Sequence, residues 1–221
     1  MGKFFDIEGR FFGGLTKIAD FIILDILVLI FSIPIITIGP ALSAAYYVAL
    51  KEVKNEEGYV FKSFLKAFKQ NFRQGFLIEL ITFGAAGLLY FDLSITYRWA
   101  HSEQSIFANL LFYVLLGFFV VVMAIFLYIF PMLAKFDNKT IKLVVNSLVM
   151  AMKHLPQTVI MLVITGYLGY ITFSFPLFIV FSIGLSLYIN AYIIARIFTI
   201  YTKPKEKESE EKADGYHIDM Y

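Results

Sequence analysis

Between Ile106 and Leu133 the chain has no charged side chain at all. A water-soluble fold could not cover such a run, and others like it, without leaving large adhesive patches. A bilayer removes the difficulty, because roughly 20 apolar residues, each rising about 1.5 Å in a helix, cross about 30 Å of hydrocarbon. Four further segments read the same way: Ile18–Ile38, Phe76–Leu93, Thr158–Phe173 and Pro176–Ile200. Backbone groups in lipid must be paired internally, and no segment alternates with a barrel strand's two-residue period, so helices are expected. The first segment is too long for a signal-peptide core and is interrupted by Asp25. Composition agrees: 59% of residues are hydrophobic and 16% charged, against about 45–50% and a quarter in soluble domains. The expected fold class is all-α, a polytopic membrane helix bundle of about five transmembrane helices. It occupies residues 1–202, with a charged, disordered cytoplasmic tail over 203–221.

Orientation follows from where the basic residues lie. Lys51, Lys54, Lys62, Lys66, Lys69 and Arg73 follow the first span; Lys135, Lys139, Lys142 and Lys153 follow the third; Lys203, Lys205, Lys207 and Lys212 follow the fifth. With five spans these three groups share one face, expected to be the cytoplasmic face, which places the N-terminus outside. The weak point is Lys3, Arg10 and Lys17, which would then be translocated, offset by Asp6, Glu8 and Asp20. A rival arrangement keeps the N-terminus inside by folding Ile18–Leu50 as a broken hairpin around Pro34, Gly39 and Pro40.

Two basic segments carry a helical apolar stripe. In 60–73 it is Phe61, Phe64, Leu65, Phe68 and Phe72, opposite Lys62, Lys66, Lys69 and Arg73, which suits a helix lying on the bilayer surface. In 141–155 it is Ile141, Val144, Val145, Leu148, Met152 and Leu155. Aligned at a fixed offset, Ser63, Ala67 and Lys69 fall on Ser147, Ala151 and Lys153. This makes an internal parallel repeat of span, proline, surface helix and span a candidate organisation, as in many transport folds.

Ionisable groups inside spans are costly and are candidates for function. Asp25 lies about two turns into the first span and Glu79 one turn into the second. Arg196 lies near the inner end of the fifth, at a depth that predicts an ion pair with Glu79. Asn190 is expected to hydrogen-bond between helices. Gly84, Gly87, Gly166, Gly169, Ser182, Gly184 and Ser186 mark helix contact faces or an oligomer seam. Without cysteine there is no disulfide or thiolate site. His101, His154 and His217 have no metal-ligand spacing, and no phosphate loop or nucleophile elbow occurs. No catalytic residues, metal or cofactor are expected, and a net charge of +2 does not suggest a nucleic-acid partner.

The stretch from Ser32 to Val48 is the most distinctive. Pro34 removes a helical hydrogen bond, Gly39-Pro40 breaks the helix, and Ala41, Ser43, Ala44 and Ala45 permit close packing. Pro34, Ile35, Ile36, Thr37, Ile38 and Gly39, then Tyr46 and Tyr47, then Phe64, Phe68, Lys69, Asn71 and Phe72 resemble the YesL family of bacterial membrane proteins, an uncharacterised-domain family. The resemblance is specific over about 11–75, with Pro40 where the family has a small residue. It implies a cytoplasmic-membrane protein whose genes often accompany carbohydrate ABC importers, and it implies no catalytic residues. The expected function is an accessory or regulatory membrane protein, with the lipid bilayer, permease subunits of such an importer and a further copy of the chain as candidate partners. The alternative is a small transporter or channel using Asp25 or Glu79.

Overall fold

The computed structural model describes residues 19–54, 59–103 and 105–215. The charges expected near the N-terminus, at Lys3, Asp6, Glu8, Arg10 and Lys17, lie outside these residues. Every regular element among the described residues is helical. Helix α1 is described over 19–31, then come α2 (Ile38–Val53), α3 (Val60–Glu103), α4 (Ile106–Lys135), α5 (Thr140–Lys153), α6 (Leu155–Ser174) and α7 (Ile179–Gly215). Short 3₁₀ turns, Ile35–Thr37 and Pro176–Phe178, precede α2 and α7. Four stretches, Val60–Ser102, Ile106–Lys135, Leu155–Ser174 and Pro176–Tyr201, are long and apolar enough to cross a membrane. Their outward faces are apolar, with Leu88, Leu110, Val163 and Tyr170 all exposed, as lipid-facing residues are.

The first apolar segment is not one continuous helix. Residues 32–37 interrupt it between α1 and α2, because Pro34 lacks an amide hydrogen and pushes its neighbour out of helical geometry. The Thr37 hydroxyl closes the break by donating to the carbonyls of Phe31 and Pro34. Along α7, Phe21 meets Tyr188 and Asp25 meets Gly184, whereas Leu42 and Tyr46 share a cavity with Ser182 and Asn190, and Leu50 shares a groove with Ala195. The two short helices thus pass α7 in opposite senses. The segment that follows is the buried helix α2, with Ala41, Ala44, Ala45, Tyr46 and Ala49 in the core, in keeping with the close packing expected of its small residues.

A second difference concerns the surface helix expected at 60–73. It is the first part of α3, which runs 44 residues without interruption, about 66 Å at 1.5 Å per residue. Phe64 and Ala67 are buried, and Phe64 and Phe68 pack on Phe31 at 5.4 and 4.8 Å. The cationic face of Lys62, Lys66, Lys69 and Arg73 is exposed. In α5 the buried side is Leu143, Ser147, Met150 and Ala151, while the expected stripe residues Ile141, Val145 and Met152 are exposed. The hypothetical repeat halves differ here, since α3 is continuous whereas α5 ends and α6 begins at His154. Finally, the backbone of α7 stays helical to Gly215, across the charge-dense stretch expected to lack structure, which is rich in the strong helix formers Lys, Glu and Ala.

Candidate functional site

The N-terminus of α2 is clasped by α3. Glycines at 39 and 75 let the two backbones touch: a Cβ on Gly39 would stand 2.5 Å from the Gly75 carbonyl oxygen, and one on Gly75 would stand 2.9 Å from the nitrogen of Pro40. That approach brings Glu79 within reach, and the Gly39 amide donates to Glu79 Oε2 at 2.8 Å. The carboxylate is buried and takes one of the unpaired donors of a helix N-terminus, where the helix dipole favours negative charge. One turn on, Asn71 Nδ2 donates to Ser43 Oγ at 3.0 Å. Of the residues singled out by the motif, Thr37, Gly39, Pro40, Asn71 and Phe68 therefore build one corner. Pro34 is exposed, and Phe72 stacks edge-on with Phe68 at 5.5 Å.

Glu79 and Arg196 do not meet. Arg196 is exposed, its guanidinium 5.9 Å from the Tyr192 ring centroid. The donor that the buried carboxyl group does meet is the Gly39 amide at the N-terminus of α2.

Between α2, α4, α6 and α7 lies a cavity of about 310 Å³. Most of its wall is apolar, including Leu42, Phe126, Leu168 and Ile183, and one side is a ladder of hydroxyls and amide. Thr172 Oγ1 donates to Ser182 Oγ at 2.7 Å, and Thr165 Oγ1 and Ser186 Oγ stand 3.2 Å apart. Asn190 Nδ2 donates to Thr165 Oγ1 at 3.0 Å, an interhelical bond of the kind that joins spans where hydrophobicity cannot. Asn190 Oδ1 is buried without a hydrogen-bond partner, and the buried Tyr46 shares the same wall. Ser182 and Ser186, expected as small contact residues, also supply hydroxyls one helical turn apart to this ladder.

Asp25 does not line this cavity. It is buried against the backbone of Gly184, where a Cβ would lie 2.6 Å from Oδ1, and that oxygen has no hydrogen-bond partner. Tyr47 lies at the other end of α2, its ring 5.1 Å from Lys51 Nζ. Among the described residues no cluster of His, Asp and Glu could hold a metal ion.

Residues 21–93, which hold α1, the break, α2 and most of α3, match the family described as "Protein of unknown function, DUF624". The chain is 28% identical over 190 residues to "Uncharacterized protein YesL" of Bacillus subtilis (strain 168), covering 84% of this chain and 88% of that protein. No solved structure matches it. The clasped corner lies inside the region that matches DUF624, and the similarity to YesL runs over most of both chains.

Proposed function

We propose that the chain is a non-enzymatic accessory protein of a bacterial cytoplasmic membrane, docking through its basic end on a partner complex. The resemblance points to the permease subunits of a carbohydrate ABC importer as that partner. The observation that supports this reading is the continuity of α3. A helix of 44 residues is about twice what a bilayer needs, so one rigid element joins an exposed cationic face at Lys62, Lys66, Lys69 and Arg73 to the buried clasp at Gly75 and Glu79. A partner that shifts the first half shifts the second. Positive charge supports a cytoplasmic position for the basic end, and for the inner end of the α7 span with it. The return of the chain at 32–37 favours the start of the described part of α1 on that same side. In that arrangement α1 and α2 form a broken hairpin beside four full spans, not a fifth crossing.

Co-purification in mild detergent tests the function. The full chain should bring importer permease subunits with it, and the Lys62→Gln/Lys66→Gln/Lys69→Gln/Arg73→Gln variant should lose them. Purification free of any permease, from cells expressing the importer, would overturn the reading. A second reading, a small-solute transporter, draws on the hydroxyl-lined cavity beside Asn190. Proteoliposomes holding only this chain would then take up solute, and Asn190→Ala would abolish the uptake.

A further inference from the structure

At the basic end, a groove of about 160 Å³ opens between α2, α4 and α7, lined by Tyr47, Leu50, Lys51, Lys54, Ala134, Lys135 and Ala195. Three lysines from two helices converge on it, and among the described residues no acidic side chain lines it. Lys54 and Lys135 are close enough to repel each other. Two of the three ammonium groups rest over aromatic rings: Lys51 is 5.1 Å from the Tyr47 centroid, and Lys135 is 4.7 Å from that of Phe198 and 5.5 Å from that of Phe136. Ring faces hold a cation in place without neutralising it, so Lys51 and Lys135 keep their positive charge at the groove.

The position of the groove says what kind of anion fits. Lys135 is the last residue of the apolar stretch Ile106–Lys135, and Ala195 lies within Pro176–Tyr201. The groove therefore sits where hydrocarbon gives way to headgroups, the depth to which lysines reach from helix ends. Its floor of Leu50, Ala134 and Ala195 is apolar, suited to a glycerol backbone and the start of an acyl chain, which a free ion lacks. We infer that this groove binds the phosphodiester headgroup of an anionic membrane phospholipid, with Lys51, Lys54 and Lys135 around the phosphate. The site is separate from the exposed α3 face and stands whether or not that face docks a partner.

Native mass spectrometry of the full chain in neutral detergent, titrated with phosphatidylglycerol or phosphatidylcholine, tests the inference. The wild type should retain phosphatidylglycerol in preference, and millimolar inorganic phosphate should not displace it. Each lysine near an anionic surface is worth about a fivefold change in binding, so Lys51→Gln/Lys54→Gln/Lys135→Gln should erase the preference. Lys139→Gln/Lys142→Gln/Lys153→Gln, which removes the same charge elsewhere, should keep it. Should the first variant not fold, the triple arginine variant should keep the preference and Lys135→Gln alone should lower it about fivefold. The inference is overturned if the groove variants bind like the wild type, if the control variant loses as much, or if inorganic phosphate displaces the lipid.

Discussion

Glu79 Oε2 accepts the Gly39 amide at 2.8 Å across the contact between α3 and α2, so a buried carboxylate on one helix terminates another. Replacing Glu79 with Ala strands a buried amide and should cost about 1–3 kcal/mol. Glu79→Gln keeps an acceptor oxygen and should cost less. Reversible unfolding in mixed micelles, followed through Trp99, orders the variants. Equal stability of wild type and Glu79→Ala would show that the clasp contributes nothing.

The glycines separate into two classes. Gly39→Ala and Gly75→Ala drive a methyl group into backbone atoms, 2.5 Å from an oxygen and 2.9 Å from a nitrogen respectively, and rigid backbone cannot yield as a side chain can. Each should destabilise by about 1–3 kcal/mol. Gly84 and Gly117 have nothing within 4 Å of a Cβ, so alanine there should be neutral or stabilise by up to about 1 kcal/mol. The same unfolding assay reads all four variants.

Asp25 and Gly184 are coupled by contact. Gly184→Ala places its methyl 2.6 Å from Asp25 Oδ1 and should destabilise the fold by about 1–3 kcal/mol. Asp25→Ala empties that space, so in the double variant the cost of Gly184→Ala should largely vanish. A double-mutant cycle reads the coupling, expected between about 0.5 and 3 kcal/mol; strictly additive effects would contradict the contact.

What the sequence made legible and what it hid have one physical origin. Length and hydropathy find membrane helices because lipid forces backbone pairing, and α4, α6 and the apolar part of α7 lie close to their expected limits. Proline chemistry predicts a kink at Pro34 and a stop at Gly39-Pro40, whereas the chain leaves the helix over 32–37 and Gly39 and Pro40 stand in the first turn of α2. Which face of a helix is buried was not legible. In water an apolar stripe points to the core, but lipid accepts apolar side chains as well. Hence Ile141 and Val145 of α5 face outward while Leu143 and Ser147 are inside. The hydroxyl ladder of Thr165, Thr172, Ser182 and Ser186 escaped notice for a related reason, since scattered serines and threonines show no excess until two helices align them. Depth-matching paired Glu79 with Arg196, yet depth does not fix which side of a helix a residue occupies.

The interhelical amide bond yields a smaller effect. Asn190→Leu removes the Nδ2 donor to Thr165 Oγ1, found at 3.0 Å, and should cost about 0.6 to 1.7 kcal/mol, the range for such bonds in membrane bundles. Thr165→Val on the Asn190→Leu background should then add little.

The proposed coupling role rests on the continuity of α3 from its cationic start onward, and a distance tests it directly. The chain has no cysteine, so spin labels at Lys62→Cys and Ser102→Cys report on α3 alone by pulsed electron resonance in lipid nanodiscs. An unbroken helix predicts a single separation of about 60 Å at 1.5 Å per residue. A helix that turned at Gly75 to lie flat on the membrane would give about 45 Å at the same rise, and that result would contradict the account.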